Sequence, residues 1–462
     1  MRTFSVTSPV DGSTYIERPY AEAADIAAAL ERAAAASADW RQLGIAKRAE
    51  LVNRATDIFV SRKSEISEEL SWQMGRPIRY GAGEVGGFEE RARYMASIAE
   101  SSLADVVPAE KSGFNRFIKR VPLGQVFVIA PWNYPYLTAV NAVVPALLAG
   151  NTVILKHSAQ TPLCAERFVQ AFVEAGVPQG VFQFLHLDHD ATSRLVKAPE
   201  IDFVAFTGSV AGGEVVERAA AGLFKGIGLE LGGKDPAYIR ADADIEQAVE
   251  TVVDGAFFNS GQSCCGIERI YVQRPIFDDF VERAVALVNQ YTLAPPQLET
   301  TTLGPMVRAD AADFVREQVK DAINAGAVAH IDAKAFEHDA KGTAYLAPQL
   351  LSGVDHSMRV MTEETFGPVV GVQAVDSDDE AIALMNDSEY GLTASVFTRD
   401  EDAALKIGEA VDTGTFFMNR CDYLDPALAW TGVKHSGRGC TLSSIGFEQL
   451  SRPKSFHFKT GV

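Results

Sequence analysis

Cysteine is scarce in this chain, with five in 462 residues. So few cysteines over such a length cannot form a disulfide framework, and none of the usual zinc spacings occurs. No metal ligand set is read, and a reducing, cytoplasmic compartment is expected. Basic residues are also short: 42 Lys and Arg stand against 61 Asp and Glu, a net charge of −19. The few basic residues are scattered, which excludes the clustered cations that nucleic acid requires and leaves solubility as the reading of the acidity. Long apolar runs are missing too. The longest, roughly residues 137 to 150, is interrupted by Asn141 and Pro145 and is too short to span a bilayer. The opening MRTFSVTSPVDG has no basic region followed by an apolar run, so no signal peptide and no membrane association are expected.

What is present fits a globular protein, with 47% apolar and 22% charged residues. The length predicts two large domains and a small appendage. Residues 21–40 and 45–74 carry apolar side chains at helical spacing. Residues 105–122, with a turn at Lys111-Ser112-Gly113, read as a β-hairpin. Then comes an alternation. VFVIA (126–130), TVILK (152–156), VFQFLHL (181–187), FVAFTG (203–208) and IGLELGG (227–233) read as strands, with helices over 161–175 and 210–221. That pattern predicts a parallel, doubly wound α/β sheet that binds ligands at the carboxyl ends of its strands. A second mixed region follows a boundary near Gly232–Lys234, with strands near RIYVQ (269–273), VVGVQA (369–374), SVFTR (395–399) and TFFMN (415–419). The tail 452–459 alternates as a strand, of the kind that pairs with another element or subunit.

Several short stretches carry chemistry. GAGEVG (81–86) matches the spacing of a dinucleotide fingerprint, but no strand precedes it, and the match is rejected. FTGSVAGG (206–213) runs from a strand into a helix. It reads either as a phosphate-binding turn or as a plain turn with Ser209 as N-cap. In LELGGKDP (229–236), Glu230 sits in an apolar strand. It is either paired with a nearby cation or raised in pKa for general-base work. NSGQSCCGIER (259–269) holds Cys264 and Cys265, read either as a nucleophile with its neighbour or as two small buried apolar residues. In PWNYP (131–135), Asn133 lies on a rigid turn, where its amide is either an oxyanion donor or the partner of its own turn.

In their order, PWNYP, TVILK, FTGS, LELGGK, GQSCCGIER, EETFGP and TGVKHSGRG resemble the motifs of the aldehyde dehydrogenase superfamily, over nearly the whole chain. The resemblance implies a doubly wound nicotinamide-binding domain (1–103 and 123–232), an α/β catalytic domain (233–438) and a β-hairpin oligomerisation arm with the terminal strand (104–122 and 439–462). It implies a homodimer or a dimer of dimers. The position two after Gln262 makes Cys264 the nucleophile, with Cys265 a packing residue behind it. Glu230 becomes the general base, and Asn133 an oxyanion donor beside the Cys264 backbone N–H. Lys156 would hold the adenosine ribose, Gly208 and Ser209 the pyrophosphate, and Glu364 the nicotinamide ribose, with Phe366 and Trp132 beside it. The implied reaction is NAD(P)-dependent, hydrolytic oxidation of an aldehyde to its acid. Two alternatives are a CoA-acylating dehydrogenase and a cofactor-free thiol esterase.

The chain departs from the family pattern at KHSA (156–159), where K-P-S-E is usual. Ala159 replaces the glutamate that accepts both ribose hydroxyls, so NADP is admitted beside NAD. His157 is a turn histidine or a phosphate partner. The substrate pocket is expected to include Tyr134, Asn141, Ser263, Cys265, Tyr423 and Trp430, with Leu424, Arg420, Asp422 and Asp425 on the same loop. Ala142 stands where relatives that take succinate semialdehyde carry an arginine. A small aliphatic aldehyde or semialdehyde is the expected substrate.

Overall fold

The computed structural model describes residues 2–460. A six-stranded sheet forms the first half. Gln125–Ala130 pairs in parallel with Thr152–His157 on one side and Phe203–Thr207 on the other. Phe182–Phe184 and Gly226–Glu230 extend it in parallel, and Gly437–Arg438 closes the far edge antiparallel to Gly226–Glu230. Gln125–Ala130 is buried along its whole length, as a central parallel strand covered on both faces must be. The expected strand 181–187 is only three residues long. It lies at the sheet edge, and past it the chain turns to bond Ala21 through the His186 carbonyl.

Five residues after Glu230, the strand Asp235–Ile239 enters a second sheet of seven strands. Its parallel core is Gln349–Ser352, Val369–Val375, Ile267–Gln273, Asp235–Ile239, Thr393–Phe397 and Thr415–Met418. Glu230 thus ends a strand of one sheet beside the start of the other.

Helix α1 (Ala23–Gln42) follows an N-terminal hairpin, Thr3–Thr7 with Thr14–Pro19, that the helical pattern gave no sign of. The reading of one helix over 45–74 resolves into α2 (Gly44–Ser61) and α3 (Lys63–Met74). Helix α4 (Ile78–Ser102) carries GAGEVG in its interior, which removes that stretch from any phosphate site. Helix α5 (Pro135–Ala149) begins with proline at its first position and ends at Gly150 in the left-handed region.

The hairpin expected at 105–122 is a correction. Phe114–Pro122 pairs along all of its length with the tail strand Ser451–Lys459, more than three hundred positions away. Residues 105–112 contribute only single bridges, Val106 to Ile118 and Lys111 to Phe114. The cross-strand rings of Phe117 and Phe456 stack at 4.8 Å, a contact that the near limb does not offer.

Candidate active site

Cys264 is delivered by a strained loop. After the helix Ile245–Phe257, a short turn runs through Asn259, Ser260 and Gly261 with φ of 53°, 56° and 68°. Gly261 is required here, because a Cβ would lie 2.1 Å from the Gly367 carbonyl oxygen. Gln262 is buried and locks the loop. Its Oε1 accepts from Val307 N at 2.8 Å, and its Nε2 donates to Asn259 O at 3.1 Å. Cys264 then stands half-buried on the wall of a cavity of about 700 Å³.

Cys265 does more than pack. It is buried, but its thiol donates to Asp422 Oδ1 at 2.9 Å, and Ser263 Oγ donates to the same oxygen at 3.0 Å. The adjacent Cys264, burial and the Asp422 carboxylate all push the Cys265 thiol well up, so it stays protonated. Burial in turn pushes Asp422 up to about 6.

Asn133 lies against the cysteine loop from the turn before α5. Its Nδ2 donates to Gln262 O at 3.2 Å, leaving the second amide hydrogen free of that bond. The turn is clamped from behind. Arg76 Nη2 and Asn259 Nδ2 both donate to Asn133 O, at 2.6 and 3.3 Å. Arg76 also pairs with Glu84, and both are buried. The other Glu84 oxygen accepts the backbone N–H groups of Tyr136 and Leu137 at 2.9 and 3.0 Å, an acid seated on the first turn of α5.

Glu230 faces the cavity from the carboxyl end of its strand. Thr441 Oγ1 donates to one oxygen at 2.6 Å and Thr207 Oγ1 to the other at 3.0 Å. Burial raises its pKa above the ordinary 4.5, and these hydroxyls and Arg91 only partly oppose it. The result is a carboxylate with raised proton affinity, fixed in orientation and without a directly bonded cation.

Tyr134, Asn141, Ser263, Cys265, Arg420, Asp422, Tyr423, Leu424 and Trp430 all line the cavity. Asp425 does not. Its carboxylate accepts from Ala427 N within the loop. Ala142 faces an adjoining cleft instead, and Asn141 is the cavity residue of that turn. Arg420 lies 3.6 Å from the centre of the Tyr423 ring, and Tyr423 donates to Glu90 at 2.8 Å.

A second cavity of about 360 Å³ is lined by Trp132, Glu364 and Phe366. Trp132 and Phe366 meet edge to face at 5.7 Å. Glu364 accepts from Gly233 N at 3.0 Å, and burial, then the Glu268 carboxylate, push it up to about 7. Glu268 holds that loop by accepting from Thr365 N and Phe366 N at 2.7 and 2.8 Å, while Lys234 neutralises it at 2.6 Å. Lys156 ends its strand with no ion pair or hydrogen-bond acceptor among the described residues, and burial lowers it to about 8. Ser209 caps the helix Val210–Ala220 through Gly212 N at 3.2 Å, and a Cβ on Gly208 would meet the Phe206 ring at 2.8 Å. His157 is committed inside the chain, which removes it as a phosphate partner. Its Nε2 donates to Pro135 O, its Nδ1 accepts from Ser158 N and Thr161 Oγ1, and burial holds it near 3. Ala159 is exposed.

Residues 1–456 match the aldehyde dehydrogenase family model. The chain belongs to the aldehyde dehydrogenase family. It is 34% identical over 443 residues to the succinate semialdehyde dehydrogenase [NAD(P)+] Sad of Escherichia coli K12, covering 96% of this chain and 95% of that one. It is also 34% identical to the NADP(+) succinate-semialdehyde dehydrogenase of Deinococcus radiodurans, covering 98% and 94%. Among solved structures, PnpE from Pseudomonas sp. WBC-3 superposes with a TM-score of 0.94 at 32% identity, over 99% of this chain and 94% of that one.

Within this family member, the residues picked from motifs fall into three groups. Cys264, Asn133 and Glu230 share one region, and Trp132, Glu364 and Phe366 another. Lys156, Gly208 and Ser209 stand at the carboxyl ends of strands in the first sheet. Motif reading missed Arg76, Glu84, Arg91, Thr207 and Thr441, which support or line the first cavity. A signal existed for Glu84 and Arg91: with Tyr80, Gly83 and Gly87 they recur three or four residues apart, one face of a helix. Among the described residues, no cluster of three or more His, Cys, Asp or Glu is placed to hold a metal, and no helix is long and apolar enough to cross a membrane.

Proposed function

We propose that this chain oxidises an aldehyde to the carboxylic acid with NAD(P)+, through a covalent thioester on Cys264 that water hydrolyses. The observation that carries the proposal is that Cys264 and Glu230 line one cavity, with the Asn133 amide bonded to the cysteine loop at Gln262 O and Glu230 raised in pKa and held by two hydroxyls.

The Cys264 thiolate attacks the aldehyde carbon, forming a C–S bond and placing negative charge on the former carbonyl oxygen. The free Asn133 N–H and the Cys264 backbone N–H hold that oxyanion. Bound NAD(P)+ supplies the hydride acceptor. The chain's residues suit such a cofactor: Lys156 is an unpaired cation at a strand end, the 208–209 turn opens a helix, and Glu364 beside Trp132 and Phe366 lines a cavity next to the cysteine loop. Glu230 then takes a proton from water, whose oxygen attacks the thioester carbon. The acid leaves and the Cys264 thiolate is restored. The CoA-acylating alternative has no need of a base fixed as Glu230 is, and this favours hydrolysis.

The activities of the relatives, NAD(P)+- and NADP+-dependent succinate semialdehyde dehydrogenases, support a semialdehyde as substrate and both cofactors as acceptable. NADP+ is admitted because Ala159 places no carboxylate near Lys156. The domain division at 232–233 is supported by the break between the two sheets, and an oligomer by the exposed ribbon of 114–122 with 451–459. The test is a panel of aldehydes with NAD+ and NADP+ and no CoA. Reduced cofactor and free acid in equal amounts are expected. Reduction that requires CoA, or no reduction at all, overturns the proposal.

A further inference from the structure

Arg91 is 7% exposed and lies on the cavity face of α4. Its Nη1 donates to Leu137 O at 2.6 Å and to Asn141 Oδ1 at 3.3 Å. Its Nε and Nη2 have no hydrogen-bond partner, and the guanidinium has no ion-pair partner, among the described residues. The acid that most opposes its desolvation, Glu84, is spent on Arg76 and on the start of α5. A buried guanidinium without a carboxylate is costly unless something else neutralises it.

Asn141 sharpens the point. A guanidinium has only donors, so the Asn141 oxygen must face Arg91, and the amide is thereby oriented. Its Nδ2 is left with no partner among the described residues. Unused donors of Arg91 and Asn141 therefore adjoin a cavity that also holds Cys264. A set of donors carrying one positive charge recognises an anion, and a forked guanidinium fits a carboxylate best.

We propose that Arg91 and Asn141 form the clamp for a carboxylate at the far end of the substrate, and that the preferred aldehydes carry such a group. The proposal rests on the reading of Cys264 as the nucleophile toward aldehydes. It places the substrate cation on α4, and no arginine on α5 is needed: Ala142 faces away from this cavity and Asn141 serves Arg91. The exposed acids Glu90, Glu250 and Asp254 also line the cavity, as do the half-buried Glu230 and Asp422, which feel the Arg91 charge without a hydrogen bond or ion pair to it. Solvent screens the exposed three, and the two half-buried acids are held by other donors, Thr207 and Thr441 on Glu230 and Ser263 and Cys265 on Asp422.

The test compares succinate semialdehyde, butanal and 4-aminobutanal with the native enzyme, R91Q, R91K and N141A. The native enzyme is expected to favour succinate semialdehyde. The ratio of kcat/KM for succinate semialdehyde to that for butanal should fall about 30-fold or more in R91Q, mainly through KM, because one partner of a buried charge pair is lost. R91K should recover part of the ratio, and N141A should lower it less than R91Q. A structural role for Arg91 would depress both substrates together and leave the ratio unchanged, which overturns the clamp. A native preference for butanal or 4-aminobutanal overturns it as well. Butanal oxidation without an Arg91-dependent preference refutes the clamp alone, and failure to oxidise any of the three refutes the underlying dehydrogenase reading too.

Discussion

Two residues carry sharply different jobs although they are neighbours. Cys264 is half-buried on the cavity wall, while the Cys265 thiol is bonded to Asp422 and pushed up by its surroundings. Cys264→Ala is expected to abolish aldehyde oxidation and Cys265→Ala to retain most of it, measured as reduced cofactor formed per second. In the proposed mechanism, Glu230 sets the acid limb of the rate. Its pKa is raised above 4.5, and only the ionised form takes a proton from water, so turnover should rise with pH through a point above 4.5. Glu230→Gln should remove that limb, and a profile that keeps it would assign the limb to another group. Asp422 makes a separate statement about stability. Its pKa is raised from 3.8 to about 6, so below 3.8 it is protonated in both states and costs nothing; ionising it in the fold costs more as pH climbs through that window. Asp422→Asn should therefore gain in Tm relative to the native chain between pH 4 and pH 8. A constant difference across that range would show that Asp422 does not titrate there.

Among the elements, α4 is the one that motif reading undervalued. It supplies Glu84 to the start of α5 and Arg91 to the cavity floor, and Glu84 with Arg76 fixes the turn that carries Asn133. Glu84→Gln leaves Arg76 buried without its counter-ion, and about 3 kcal/mol of stability should be lost. Denaturant unfolding checks this; a loss below about 1 kcal/mol would mean that Arg76 finds another partner. The α4 case also shows why part of the site was illegible. Cys264, Glu230 and Asn133 sit in short motifs whose local order names them. The residues that support them lie far away in the chain: Glu230 takes its bonds from Thr207 and Thr441, 23 and 211 positions off. No local periodicity reports such pairings. The parallel strands, in contrast, were readable because a strand buried on both faces is continuously apolar, as Gln125–Ala130 is.

At the scale of the whole molecule, two sheets meet where Glu230 ends one and Asp235 starts the other, and the cysteine loop arrives beside that junction. The alternation of strands and helices foretold the first sheet. It could not foretell that Gly437–Arg438 would return to its edge or that the tail would pair with 114–122, because pairing across hundreds of residues leaves no local trace. That ribbon is two-stranded and largely exposed, an arrangement of marginal stability alone. If the ribbon builds the proposed oligomer, deleting residues 451–462 lowers the molecular mass seen by light scattering; an unchanged mass would count against that role.

The central claim is that Cys264 carries the substrate. Mass spectrometry of Glu230→Gln mixed with aldehyde and NAD+ tests it most directly, because hydrolysis is slowed and the thioester accumulates. The account predicts an acyl adduct on the Cys264 peptide that requires both aldehyde and cofactor. An adduct on Cys265, or none while the native enzyme turns over, would contradict it.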